Sequence, residues 1–124
     1  MINVADYIGI PFEYGGRGPS KYDCYGLVME LYKRVHDVDI KDVKSPSELK
    51  KVAMMMSSDL HLWKQTEKRF GAVVLFKVKG LVSHVGFVIH GDKFIHTWDK
   101  SGGVVIEKLA DWEKRIIGFY EYVG

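Results

Sequence analysis

A single cysteine, Cys24, stands among the 124 residues, so no internal disulfide framework is available and the fold must hold by packing. Long apolar runs are missing too. No stretch approaches the length needed to cross a bilayer, and membrane insertion is not expected. The amino-terminal stretch MINVADYIGIPFEYGG has no basic region followed by an apolar core. Asp6 and Glu13 interrupt it, so it does not read as a secretion signal. Nor is there a strong charge of one sign. The formal net charge is +2 with the lysines spread along the chain, which gives little support to a nucleic-acid partner and is compatible with an acidic ligand. Without repeats or low-complexity linkers, residues 1–124 read as one domain.

What is present is ordinary for a soluble globular chain: 47% hydrophobic and 27% charged residues. A short helix around Val4–Ile8 should end before Pro11, and YGGRGPS forms a glycine-rich loop. From Cys24 the apolar positions Leu27, Val28, Leu31, Tyr32 and Val35 keep the period of an amphipathic helix. Ser45-Pro46-Ser47-Glu48 has the form of a capping box with proline in the first turn, opening a helix to about Asp59 or Leu60. Its run Met54-Met55-Met56 reads as core or adaptable contact surface rather than a cofactor box. After Trp63 the texture becomes extended. GAVVLFKV, LVSHVGFVI, KFIHTW, GGVVIEKL and RIIGFYEYV are short β-branched and aromatic runs separated by turns. Helices first and strands after, with no room for helical crossovers, predict an α+β fold with a mostly antiparallel sheet.

Cys24 falls at the start of its helix, where first-turn N–H groups and the positive end of the dipole favour a thiolate, although a small buried hydrophobe would sit there equally well. A thiolate nucleophile needs a base, and the base needs an orienting group. Of five histidines, His36, His61 and His90 lie at helix ends and turns and read as surface residues. His84 and His96 lie inside strand patterns. A three-residue loop, His90-Gly91-Asp92, pairs Ile89 with Lys93 and Gly86 with His96. That register sets His84 and His96 on one face as diagonal neighbours, roughly 7–8 Å apart in backbone, and gathers Val85, Phe87, Ile89 and Ile95 on the other. A two-residue loop would split the histidines between faces. The pair reads either as half-buried strand histidines satisfied by hydrogen bonds or as part of a catalytic constellation with Cys24. A zinc site from Cys24, His84 and His96 has suitable ligand types but lacks paired short spacing and an assignable supporting acid.

In order, the YGG loop, the DCYGLV helix, the SHVGFVI strand and FIHTW resemble the NlpC/P60 family of cell-wall cysteine peptidases, over about Ile8 to Tyr122. Cysteine before histidine sets the chain apart from the circularly permuted branch. The resemblance implies a papain-like α+β fold, with N-terminal helices packed on a mostly antiparallel sheet of five to six strands. It implies Cys24 as nucleophile, His84 as general base and then acid, and His96 as the polar residue orienting His84. The backbone N–H of Cys24 would serve as an oxyanion donor. Tyr14 resembles a family tyrosine that lines the site and adds a second donor; it would equally pack beside Phe12. Asp23 matches a family aspartate that binds the free amine of a stem peptide, and it would also serve as N-cap. Arg17 would attract a substrate carboxylate or simply be solvated. Tyr25 stands where the family usually has a serine that helps read the peptide, and Gly71-Ala72 where it often has Gly-Asp.

The expectation is a thiol endopeptidase cutting an amide in the stem peptides of peptidoglycan, next to D-glutamate or diaminopimelate, with no cofactor and no metal. A sibling reading is an amidase cutting the sugar–peptide link. The form DCYGLV resembles family members of bacteriophage tails. Delivery by a virion tail, with tail proteins as partners, would suit a chain made in the cytoplasm without a signal peptide. The alternative from another class is a structural tail or assembly protein that keeps the fold and little activity.

Overall fold

The apolar rhythm that begins at Cys24 becomes one helix, α1, Cys24–His36. Asp23 caps it: the backbone there is extended and the side chain accepts the N–H of Gly26 at 2.7 Å. Such a cap stabilises a helix by about 1 kcal/mol. At the other end Asp37 takes a left-handed conformation, φ 58°, and its N–H donates to the carbonyl of Lys33, a tolerable geometry for a short polar side chain. This computed structural model describes residues 3–42 and 60–124. The helix expected from Pro46 to Asp59, with its methionine run, lies outside the described residues. The short helix expected near the amino terminus is a 3-10 helix, Val4–Tyr7, capped by Asn3.

Among the described residues, six strands form one antiparallel sheet. They are β1 Trp63–Thr66, β2 Val73–Val78, β3 Leu81–Ile89, β4 Lys93–His96, β5 Val105–Lys108 and β6 Ile116–Tyr122. Their order across the sheet is β1-β6-β2-β3-β4-β5. Five of them arise from the five extended runs. The sixth, β1, is WKQT, an edge strand without an apolar alternation. The expectation of tight turns throughout fails between β5 and β6. β5 lies at one edge and β6 lies between β1 and β2, so the chain must cross the sheet, and it does so through a 3-10 helix, Leu109–Arg115.

Strand alternation gives the sheet two buried faces. On one, Val73, Leu75, Val85, Phe87 and Ile95 pack with Leu27, Val28 and Leu31 of α1. Burying each large apolar side chain there contributes about 1.5–3 kcal/mol. On the other, Val74, Phe76, Val88 and Phe94 pack under Leu109 and Trp112 of the crossing segment. The sheet is therefore a wall between α1 and an aromatic cover.

Candidate active site

The β3–β4 hairpin has the odd-length register. Ile89 faces Lys93 and Phe87 faces Ile95, and the turn His90–Asp92 is closed by Gly91 and Asp92 at positive φ. His84 and His96 consequently stand on one face, the face of Phe76 and Phe94. Gly86 lies between their rows, where a Cβ would meet the Phe94 ring at 2.8 Å and the His96 Cβ at 3.4 Å. The missing side chain lets the phenyl ring lie close beside the histidine.

His84 Nε2 and His96 Nδ1 are 2.7 Å apart. His96 Nε2 and Glu107 Oε2 are 2.5 Å apart. Three polar side chains from β3, β4 and β5 thus form one line of hydrogen bonds that runs from the interior to the surface. His84 and His96 are buried, whereas the Glu107 side chain is 36% exposed. Rings enclose the pair: Phe76, Trp98 and Trp112 around His84, and Phe94, Trp98 and Trp112 around His96. Burial, and secondarily the neighbouring His96, pushes His84 well below the ordinary value of 6.5. Burial also lowers His96, while the hydrogen bond and charge of Glu107 pull the other way. Both rings are therefore held neutral near neutral pH.

Glu107 was not singled out from the sequence, and neither was the tryptophan cover. In GGVVIEKL the glutamate reads as the solvent position of an edge strand. The β4–β5 register sets His96 opposite Val105 and Phe94 opposite Glu107. Glu107 is then the diagonal neighbour of His96 on the same face, by the rule that joins His96 to His84.

Cys24 is the first residue of α1 and fully buried, within the cluster on the helix side of the sheet. The side chains of His84 and His96 leave the sheet on the aromatic side. The described hydrogen bonds of the two rings run to each other and to Glu107, not to Cys24. Among the described residues no three His, Cys, Asp or Glu side chains converge as ligands of one metal ion would.

Of the other expected site residues, some are buried and one is exposed. Asp23 is fully buried, with one oxygen accepting Gly26 N–H and Arg17 Nη1 and the other accepting Gly15 N–H. It carries the N-cap role and offers an amine no exposed surface. Arg17 is engaged rather than solvated: its guanidinium bridges Asp23 and Asp42 at 2.8 Å each and donates to the Gly16 carbonyl. Tyr25, which stands where the family usually has a serine that helps read the peptide, points inward. It is buried, its hydroxyl donates to the Lys41 carbonyl at 2.7 Å, and the Arg17 guanidinium lies 5.9 Å from its ring centre. Tyr14 is exposed, packs edge-on against Phe12 and donates to Asp99 at 3.2 Å. Gly26 makes this close structure possible: a Cβ there would lie 2.1 Å from the Gly16 carbonyl oxygen. His61 and His90 are exposed, as expected, and His90 stacks on Phe70. His36 is exposed too, but its Nε2 donates to the Gly71 carbonyl at 2.8 Å.

Comparison with known proteins places this geometry in context. The NlpC/P60 family model matches residues 9–121. A murein DD-endopeptidase MepS/murein LD-carboxypeptidase of Escherichia coli (strain K12) is 26% identical over 117 residues, which is 93% of this chain and 57% of that protein. The chain thus spans little more than half the length of that relative. Among solved structures, NlpC2 from Trichomonas vaginalis superposes with a TM-score of 0.70 at 19% identity, covering 96% of this chain and 44% of that one. The NlpC/p60 domain of the peptidoglycan hydrolase SagA gives 0.62 at 23% identity, covering 94% and 90%. At these identities the superpositions establish the α+β fold, and the papain-like architecture expected from the sequence is the one observed.

Proposed function

The chain belongs to the NlpC/P60 family, and from that premise we propose a cysteine peptidase that hydrolyses an amide bond in the stem peptides of peptidoglycan. The observation that carries the reading is the buried hydrogen bond between His84 and His96. A pair of neutral imidazoles joined nitrogen to nitrogen is a poor stabilising device, and it makes chemical sense as a base and its orienting group.

In this reading Cys24 is the nucleophile. The family resemblance assigns its proton to His84, whose acceptor is Nδ1, the ring nitrogen not used toward His96. The transfer leaves a thiolate and an imidazolium, and it requires the two side chains, which lie on opposite sides of the sheet, to meet around its end. The thiolate adds to the scissile carbonyl, and charge grows on the carbonyl oxygen. The head of α1 is built to meet that charge, since first-turn N–H groups and the helix dipole point there. His84 then returns the proton to the departing amine. Water, activated by the same ring, releases the acyl group from sulfur and restores the thiol. His96 holds the His84 ring in plane throughout.

The bond we assign is the one next to D-glutamate or diaminopimelate. Tyr14, exposed and hydrogen-bonded to Asp99, is accessible to a peptide from solution. Arg17, Asp23 and Tyr25 act behind the site by fixing the loop before α1. The DCYGLV form supports delivery by a bacteriophage tail as the setting of this activity.

The test is digestion of purified peptidoglycan by the wild type and Cys24→Ala, with products read by mass spectrometry. New stem-peptide fragments from the wild type only would identify the bond. Intact peptidoglycan with both proteins, across several wall types, would overturn the assignment.

A further inference from the structure

The hydrogen-bond line does not end at the two histidines. A carboxylate oxygen only accepts, so the 2.5 Å contact with Glu107 requires the proton of His96 on Nε2. A neutral imidazole carries one N–H, which leaves His96 Nδ1 as an acceptor. The 2.7 Å contact with His84 then requires the His84 proton on Nε2. His84 Nδ1 is left with a lone pair. Each step follows from counting donors and acceptors along the line, and only the first refers to a charged group.

We propose that Glu107 is a positioning residue that sets the tautomer of His96 and, through it, the tautomer of His84. Without the carboxylate, His96 can place its proton on either nitrogen. A proton on His96 Nδ1 would turn His84 over to an acceptor at Nε2, with its own proton on Nδ1. A His84 protonated at Nδ1 cannot take a proton there from a thiol. Once His84 is charged, the same line leads from the imidazolium through His96 to the carboxylate, so Glu107 also stabilises the charged intermediate. The aromatic cover is what makes this matter. Phe76, Phe94, Trp98 and Trp112 leave the two rings surrounded by apolar surface and by each other, and Glu107 is the anion at the end of the line.

The catalytic consequence rests on the peptidase reading, but the tautomers do not, and they can be read without any substrate. The experiment is long-range proton–nitrogen NMR of uniformly labelled wild type, Glu107→Gln and Glu107→Ala at neutral pH. Alongside it, peptidoglycan digestion is followed at several substrate concentrations. Glutamine keeps the shape but can donate as well as accept, so a folded comparison is available even if alanine disturbs β5. We expect both wild-type rings as single Nε2–H tautomers. In both variants a second population protonated at Nδ1 should appear for His96 and His84. The turnover number should fall roughly 10- to 100-fold, a fraction of a full general-base contribution, with KM little changed. Unchanged tautomers in both variants would overturn the proposal, whatever the rates. Shifted tautomers with no hydrolysis by any protein, wild type included, would uphold the relay and remove the peptidase reading.

Discussion

His84 and His96 meet nitrogen to nitrogen at 2.7 Å, inside a sheet and under a cover of tryptophan. The bond decides what His96 must supply: an acceptor at the position of its Nδ1. Asparagine can present an amide oxygen there, and leucine can present nothing. His96→Leu should therefore lower kcat/KM for peptidoglycan by about 100-fold, and His96→Asn by clearly less. Equal losses in steady-state assays would show that His96 matters for packing alone.

Acid should weaken the fold before it titrates carboxylates. His84 and His96 are both lowered in the folded state by burial. The unfolded chain, with ordinary histidines near 6.5, then binds more protons than the folded one once the pH falls below that value. Stability is fully present above about 6.5 and is lost as the pH drops toward the depressed folded values. The slope is at most about 1.4 kcal/mol per pH unit for each histidine. Urea midpoints measured from pH 8 to pH 5 should decline below 6.5 in the wild type and decline less in His84→Gln. Parallel curves for the two proteins would contradict the burial argument.

Gly26→Ala tests the tight junction between the loop and α1. In an open helix the change would gain about 1 kcal/mol from helix propensity. Here the new Cβ would lie 2.1 Å from the Gly16 carbonyl oxygen, a backbone atom that cannot swing aside. Overpacking of that kind costs about 3 kcal/mol, so the steric term wins and chemical denaturation should show a net loss. A gain would mean that the loop moves freely away from the helix.

Much of this arrangement was legible in the chain because burial leaves a period. The hairpin register followed from asking that Val85, Phe87, Ile89 and Ile95 share a face, and the structure has that register. The helix start at Cys24 and the Asp23 cap followed from the apolar spacing and the residue type. What could not be read lacks such a period. Edge strand β1 contributes the exposed Lys64 and Gln65 and has no alternation to detect. The crossing helix Leu109–Arg115 shows only Leu109 and Trp112 as buried points, too few to distinguish from a loop. Glu107 was hidden because its role depends on the β4–β5 register, and the long connection between those strands leaves that register open. Tyr25 was hidden for the opposite reason. The family resemblance sets it where a polar residue usually stands, whereas its position in α1 turns it inward.

Tyr25→Phe separates those two views of the tyrosine. The hydroxyl donates to the Lys41 carbonyl at 2.7 Å, and a hydrogen bond of that kind contributes about 1 kcal/mol. The variant should lose about that much in thermal or denaturant unfolding and keep its rate on peptidoglycan. A raised KM at unchanged stability would return Tyr25 to the substrate.

Thr97, next to His96 in the chain, offers the sharpest stability test. Its side chain is fully buried, and its hydroxyl has no hydrogen-bond partner among the described residues. An unsatisfied buried hydroxyl costs about 1–3 kcal/mol. Valine has nearly the same shape and no polar atom, so the exchange removes that cost without opening a cavity. Because the residue is inaccessible, substrate contact gives no reason for threonine. Thr97→Val should therefore raise the unfolding free energy by about 1 kcal/mol and leave hydrolysis unchanged, as read by denaturant titration and peptidoglycan digestion. A loss of stability would show that the hydroxyl does find a partner. A gain in stability joined to a loss of rate would be a different result: an uncomfortable group kept beside the relay for the chemistry.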